Sequence, residues 1–152
     1  MTGLPEVTIV AHDVGGVGGM ESHLAQLVVS LASRGHRVTV VARTCRLPQH
    51  AGVRWVRVPG PRRPFPLAYP WFFLAGTVQV ARSRRDVLHT TGAIVFNHAD
   101  LSTIHHCHQA AHPRVTVHPN RVVRGVYAVN AWLSYKLSLI AERVYNPSWV
   151  CS

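Results

Sequence analysis

The sequence predicts an α/β fold, a Rossmann-like parallel sheet with helices on both faces. Two short β-branched runs, 7–13 and 37–43, enclose a segment whose apolar residues recur at helical spacing. Such a strand, helix and strand form a βαβ unit, in which the two strands are parallel. The chain has 152 residues and 47% hydrophobic side chains, which is enough for one folded core.

The next elements continue the alternation of strands and helices. The run 53–58 alternates apolar residues with arginines and predicts a third strand near an edge of the sheet. Residues 59–70 include five prolines and predict a loop. A helix is then expected from Trp71, with Leu74 and Val78 on the same face as Trp71.

The last third of the chain predicts two strands and the longest helix. The strands are expected at 86–91 and 101–108, and the helix at 120–146, before an Asn-Pro pair. Residues 147–152 look like the start of a further strand. We therefore expect a single N-terminal domain over 1–152, with its core in 1–146, that stops at the beginning of its next element.

Arginine dominates the charge. Sixteen basic residues against six acidic ones give a net charge of +10, and Lys136 is the single lysine. This excess favours anionic partners: nucleic acid, an anionic membrane surface or a phosphorylated small molecule. A high arginine content also follows from genome composition alone, so the partner stays open at this point.

Cysteine use and the N-terminus predict a cytoplasmic protein. Cys45, Cys107 and Cys151 are far apart and form no CxxC pair, which argues against a disulfide framework and against a cysteine-rich zinc site. Glu6 stands where an export signal requires a basic start followed by a long apolar run.

The stretch "HDVGGVGGMESH" at 12–23 joins the first strand to the first helix. Uncovered backbone amides at a helix N-terminus form an anion site, but glycines also serve as a tight strand-to-helix turn, and both interpretations remain open. The dinucleotide-binding pattern fails, because from Gly16 the third glycine is replaced by Glu21. The acidic residue expected after the second strand is also missing, since Arg43 and Thr44 stand there.

The segment "GGMESHLAQLVVSLASRGHRVTVVAR" resembles the opening of the retaining family-4 glycosyltransferases of the GT-B fold. "DVLHTTG" and "STIHHCH" follow in the matching order, so the resemblance extends from residue 7 to residue 152. It implies that the chain is the first, acceptor-side half of a GT-B fold. The implied donor is a nucleotide-diphosphate sugar, the acceptor a glycan, a lipid or a small molecule, and no cofactor is expected.

The resemblance also implies site residues at the carboxyl edge of the sheet. The glycine loop would lie against the donor diphosphate and the acceptor, with further groups on the acceptor side and one catalytic histidine. These residues are Gly16, Gly18 and Gly19 in the loop, Asp13, Thr91 and Gly92 on the acceptor side, and His105 as the catalytic residue. An imidazole at that strand end would stabilise charge as the sugar–phosphate bond breaks, although a hydrogen-bonded core histidine is the alternative interpretation of His105.

The family's second domain, which holds most donor contacts and a paired-glutamate motif, has no counterpart in this sequence. We therefore expect little or no transfer by the chain alone. It is a fragment of a longer enzyme, one half of a split enzyme completed by a separate chain, or a degenerate remnant. The alternative function is a non-enzymatic basic module that binds an anionic membrane or a nucleic acid surface.

An uncharged segment, 64–81, lies between two groups of arginines. The groups are Arg62 and Arg63 before it, and Arg82, Arg84 and Arg85 after it. Aromatic residues between arginines suit an interfacial segment on anionic lipid at the inner face of the membrane, and a core helix with a solvated basic end is the equal alternative. Specific nucleic acid binding is not expected, because no recognition motif is present.

The histidine-rich stretch "HHCHQAAH" at 105–112 invites a metal interpretation. Strand alternation makes His106 and His108 natural co-ligands, with His112 as a third, but no carboxylate lies near them in the sequence. No metal is therefore expected. A serine hydrolase is not expected either, because the sequence has no G-x-S-x-G motif.

Overall fold

The computed structural model describes residues 4–47, 52–104 and 121–145. Five strands form one sheet in the order β3-β2-β1-β4-β5, and all four pairings are parallel. The strands are β1 (Val7–Val14), β2 (Val38–Cys45), β3 (Val53–Arg57), β4 (Val87–Thr90) and β5 (Leu101–Ser102). The predicted α/β class and Rossmann-like sheet are confirmed.

Three helices belong to the described residues: α1 (Gly19–Ser33), α2 (Phe65–Arg82) and α3 (Arg121–Tyr145). The two helices that connect parallel strands, α1 and α2, cover opposite faces of the sheet. On one face Ile9 of β1 packs with Leu24 and Val28 of α1. On the other face Val10 packs with Phe72 and Val80 of α2. Helices on both faces were predicted, and the alternation of side chains along β1 is the cause.

The first helix ends where the sequence "RGH" predicts it. Gly35 takes a φ of +90°, and its N–H donates to the carbonyl of Ala32 at 3.0 Å. The N–H of His36 donates to the carbonyl of Leu31 at 3.2 Å. The two residues that follow the helix thus satisfy carbonyls of its last turn. The chain then enters β2 directly.

The second helix begins six residues earlier than the prolines suggested. The predicted loop at 59–70 is wrong from Phe65 onward, because Pro66 stands in the first turn, where its missing N–H has no partner to lose. Pro70 is inside the helix and removes one bond in the next turn. Tertiary packing of the aromatic side chains that follow outweighs that loss.

The predicted apolar face of α2 is its exposed face. Trp71 is 51% exposed and Leu74 61%, whereas the buried side carries Ala68, Phe72, Gly76 and Val80. The helix is apolar all round, so periodicity alone does not select a face. Small residues decide the orientation, because a Cβ at Gly76 would lie 3.2 Å from a methyl group of Val95.

The long third helix is confirmed at Arg121–Tyr145 and packs against α2. Several of its large apolar side chains are exposed, among them Val126, Trp132 and Ile140. The fifth strand was predicted at 101–108. Within its described part, 101–104, Leu101–Ser102 pair with β4. Residues 105–108 of that prediction lie outside the described residues.

Candidate active site at the carboxyl edge of the sheet

The strand order reverses at β1, which lies between β2 and β4. Loops that leave neighbouring strands in opposite directions open a crevice at the carboxyl edge of a parallel sheet, where such folds bind ligands. The glycine loop follows β1, and Thr91 with Gly92 follows β4. The N–H of Thr91 donates to the carbonyl of Val10 at 3.1 Å, so both segments lie at this edge.

Gly15 makes the sharp turn out of β1. It is buried, with a φ of +74°, and a Cβ at this position would overlap the carbonyl oxygen of Arg46. The N–H of Arg46 in turn donates to Val14 at 2.8 Å, so the glycine loop is held against the chain that leaves β2. No other residue type fits this position without moving the backbone.

The loop ends on the N-terminus of α1. Gly18 is the residue before the first helical turn, Gly19 is the first helical residue, and no side chain caps this end. The hydroxyl of Ser22 donates instead to the carbonyl of Gly16 at 3.1 Å. The amides of the first turn and the positive end of the helix dipole thus face the carboxyl edge of the sheet.

Glu21 lies in the first turn of α1, and its carboxylate folds back against Gly18. A Cβ at Gly18 would meet this carboxylate, which is the far end of a flexible side chain. A negative charge thus already occupies the space that an anion would take at this helix end. A bound phosphate requires the Glu21 side chain to swing away.

Asp13 is tied to the strand beside it. Its carboxylate accepts a hydrogen bond from the Arg43 guanidinium at 3.0 Å and another from the Thr44 hydroxyl. Burial pushes the pKa of Asp13 up, but these two hydrogen bonds and the positive charge of Arg43 outweigh it, so the pKa is lowered. The Arg43 guanidinium is therefore paired with Asp13.

His12, which the sequence analysis did not single out, is largely buried beside Asp13. Its ring lies 4.4 Å from the Phe72 ring and 6.0 Å from the Tyr69 ring, measured between centroids. Burial, and to a lesser degree the charge of Arg43, lowers the pKa of His12 to about 4. The only signal in the sequence is a polar pair at the end of an apolar strand, which does not separate a core histidine from a site residue.

A cavity of about 420 Å³ lies beside the glycine loop. Its floor is formed by the ends of β1 and β2, and the chain that leads into α2 forms a further wall. Three arginines line it with no carboxylate within 4 Å in the part of the chain that the structure describes. They are Arg46, Arg62 and Arg63, all with exposed side chains.

The second arginine group lies at the opposite edge of the sheet, since α2 runs antiparallel to the strands and ends at Arg82. The Arg85 guanidinium donates to the carbonyls of Val80 at 2.5 Å and Ser83 at 3.3 Å and so closes the helix end. The two arginine groups that flank the apolar segment in the sequence therefore do not form one surface. Of these two groups, the one formed by Arg62 and Arg63 lies near the glycine loop.

His105 lies outside the described residues, as do His106, His108 and His112. Within the described ranges, no group of three or more His, Cys, Asp or Glu side chains is arranged to hold a metal ion. None of the helices in those ranges is both long and apolar enough to cross a membrane. The structure does bring Asp13, the glycine loop and Thr91–Gly92 to one edge of the sheet.

Comparison with known proteins identifies the family. The model of Glycosyltransferase Family 4 matches residues 17–149, which is most of the chain. The chain belongs to glycosyltransferase family 4. A comparison of the sequence with curated proteins gives no significant match.

The fold of this family-4 chain is similar to that of WaaG, a glycosyltransferase involved in lipopolysaccharide biosynthesis, with a TM-score of 0.60 and 13% sequence identity. The match covers 90% of this chain and 34% of WaaG, so the chain spans about a third of that protein's length. The predicted resemblance to the N-terminal domain of a GT-B glycosyltransferase is confirmed.

Proposed function

We propose that this family-4 domain is the acceptor side of a glycosyltransferase that moves a sugar from a nucleotide-diphosphate sugar to an acceptor with retention of configuration. The observation that carries the proposal is the glycine loop, which opens α1 at the point where the strand order reverses. Gly16, Gly18 and Gly19 place no side chain over the first turn of that helix, and the flexible Glu21 carboxylate that lies against Gly18 swings away when an anion binds. A diphosphate placed there gains the helix dipole and backbone donors.

The remaining proposed residues surround this loop. Thr91, Gly92 and Asp13 are proposed on the acceptor side. This proposal is supported by their position at the carboxyl edge, where the N–H of Thr91 bonds to Val10 and Asp13 pairs with Arg43. His105 is proposed as the catalytic residue on the basis of the family resemblance. An imidazole beside the donor would stabilise the negative charge that develops on the leaving diphosphate.

The donor needs a second binding surface. We propose that it comes from a second α/β domain, encoded in the same reading frame or in a separate chain, and that the domain alone transfers little sugar. A sugar nucleotide held only by one helix N-terminus and one loop is exposed to water. Catalysis of group transfer depends on a closed site with fixed donors of hydrogen bonds.

The test measures sugar transfer by the product of the complete reading frame that contains this chain, beside the 152-residue chain alone. Radiolabelled nucleotide-diphosphate sugars are screened against glycan, lipid and sugar acceptors, and proton NMR reports the anomeric configuration of the product. We expect transfer with retention by the complete product and loss of about 100-fold in rate for His105→Ala. His98→Ala, an exposed histidine after β4, is the matched control. An inverted product, or full activity of His105→Ala, contradicts the proposal.

A second proposed role is peripheral docking on the cytoplasmic face of an anionic membrane. It is supported by a row of exposed apolar side chains on α2, spaced one turn apart: Leu67, Trp71, Leu74 and Val78. Arg62 and Arg63 stand just before the first turn of this helix, whereas the second arginine group lies at the opposite edge of the sheet. The apolar row would gain free energy from burial in the lipid interface, and arginines at its start from contact with anionic headgroups.

Sedimentation with lipid vesicles tests this role. We expect the chain to bind vesicles with 30% anionic lipid, about tenfold more tightly than neutral vesicles, and Trp71→Ser with Leu74→Ser to weaken binding. Trp55→Ser is the matched control, because Trp55 is also exposed but belongs to β3. Equal binding of the α2 variant and the control shows that α2 is not the docking surface.

A further inference from the structure

We propose that the acceptor carries a phosphate group, and that Arg46, Arg62 and Arg63 bind this phosphate in the cavity beside the glycine loop. The inference rests on the proposed transferase function and names the chemical class of its acceptor. It comes from the charge balance of the cavity and from its position relative to the strands.

The charge balance of the cavity is positive. Four arginines and two carboxylates, Asp13 and Glu21, line it, which leaves a net charge of +2. Asp13 is held by Arg43 and Thr44. Arg46, Arg62 and Arg63 have no carboxylate within 4 Å among the described residues, and all three are exposed.

Arginine is the side chain best suited to a phosphate monoester. Its planar guanidinium donates two parallel hydrogen bonds to two phosphate oxygens, and such charge-assisted bonds are about twice as strong as neutral ones. The net charge of +2 from four arginines and two carboxylates matches the two negative charges of a monoester. The volume of about 420 Å³ also lies in the range of small-molecule sites.

The three arginines come from two separate segments that the fold brings together. Arg46 directly follows β2, and its backbone is fixed by the contact with Gly15. Arg62 and Arg63 stand in the chain between β3 and α2, where Trp71 of the helix donates to the carbonyl of Pro59 at 2.7 Å. The arrangement is therefore a product of the tertiary fold and is not a run of charge along one helix.

The position of the cavity favours the acceptor over the donor as the source of the phosphate. Its lining comes from β1, β2, the glycine loop and the chain before α2, and includes no described residue of β4 or β5. The donor diphosphate is proposed at the N-terminus of α1, on the amides of Gly18 and Gly19, and Asp13, which is proposed on the acceptor side, lines the arginine cavity. A phosphate bound by the three arginines would thus hold the acceptor from the β2 side and leave the first turn of α1 to the donor diphosphate.

The test is an amide NMR titration of the 152-residue chain with three probes: glucose 6-phosphate, glucose and uridine diphosphate. We expect glucose 6-phosphate to shift the amides of residues 43–46 and 62–63, and glucose to leave them unchanged. Uridine diphosphate is expected to shift residues 18–20 instead. If uridine diphosphate shifts 43–46 and displaces glucose 6-phosphate, the cavity binds the donor phosphates and the assignment to the acceptor is overturned.

Paired variants separate a specific site from general charge. Arg62→Gln with Arg63→Gln should weaken glucose 6-phosphate binding about tenfold, and Arg46→Gln should weaken it by a similar factor. Arg82→Gln with Arg84→Gln removes the same charge at the opposite edge of the sheet and should leave the affinity unchanged. Equal weakening by both pairs overturns the proposal, as does equal binding of glucose and its phosphate. The variant spectra themselves report whether the fold is intact.

This titration involves no donor sugar and no turnover. Absence of transfer by the complete reading frame would therefore refute the proposed function while the binding result stands. Absence of phosphate binding in a chain whose complete enzyme transfers sugar would refute only the phosphorylated acceptor.

Discussion

The two edges of the sheet carry similar polar residues but use them differently. At the amino edge, Asp86 accepts a hydrogen bond from the N–H of Glu6 at 2.8 Å, and Arg85 closes the end of α2. At the carboxyl edge, Arg62 and Arg63 face a cavity beside a turn that only glycine fits.

The amino edge therefore belongs to the structural scaffold of the domain, and the carboxyl edge holds its candidate site. The described charges at the amino edge satisfy backbone groups that the ends of strands and helices leave open. The carboxyl edge keeps three guanidiniums without a carboxylate partner among the described residues, which is favourable for an anionic ligand. The changes below alter residues at one edge, and the free energy of unfolding reports whether those residues belong to the scaffold.

The largest expected effect is on the turn that follows β1. Gly15→Val should lower the free energy of unfolding by about 3 kcal/mol, because the side chain meets the Arg46 carbonyl and the backbone has a positive φ. Gly19→Ala is the matched control in the same loop, where a Cβ has open space and helix propensity favours alanine. Urea unfolding of both variants checks this. A Gly15→Val protein as stable as Gly19→Ala would show that the turn is not as tight as described.

The next effect is the pH dependence of the free energy of unfolding, which we attribute to His12. Its pKa in the folded chain, about 4, lies below the ordinary value of 6.5, so the unfolded chain binds the proton more readily. The stabilising contribution of the neutral ring is complete above pH 6.5 and is lost as the pH falls to about 4, by about 3 kcal/mol. His12→Phe should flatten the stability profile in that interval.

The control for this profile is the exposed His98, whose replacement by Asn should leave the slope unchanged. Urea unfolding at half-unit steps between pH 7 and pH 4 supplies the slopes. A His12→Phe profile as steep as that of the unmodified chain would mean that other groups carry the acid sensitivity.

A smaller effect is expected for the ion pair at the end of β1. Asp13→Asn should cost about 1–2 kcal/mol, because it leaves the half-buried guanidinium of Arg43 without its carboxylate. Asp13→Asn combined with Arg43→Gln should recover part of that loss in a double-mutant cycle. Additive losses would show that the two side chains do not interact.

The smallest effect is expected at the amino edge. Arg82→Gln with Arg84→Gln should change the free energy of unfolding by less than about 0.5 kcal/mol, since both side chains are exposed. Thermal unfolding of this double variant is compared with that of the Arg62→Gln, Arg63→Gln double variant at the carboxyl edge. A large loss for either pair would place those arginines in the scaffold.

Most of the fold was predictable because its signals are local. The β-branched runs and the glycine after α1 determine the strands and the helix end, and the described structure agrees with them within a few residues. The start of α2 was not predictable from proline content, since the cost of Pro66 depends on its position in the helix. The buried face of α2 depends on the contact between Gly76 and Val95, which only the tertiary structure reveals.

The candidate site was predictable in part for the same reason. The glycine loop and Thr91–Gly92 follow strands, so their common edge follows from a parallel sheet. The division of the arginines into two groups follows from the antiparallel course of α2, which the linear order of charges hides. The roles of Arg43 and His12 depend on Asp13, Phe72 and burial, which come from distant parts of the chain.

The most direct test of the account is the footprint of a sugar nucleotide on this chain. Hydrogen exchange of the backbone amides is measured with and without millimolar uridine-diphosphate glucose. The account predicts added protection in residues 15–20 at the carboxyl edge, and none in residues 34–37 and 83–87 at the amino edge. Protection centred on the amino edge, or none in the glycine loop, would contradict it.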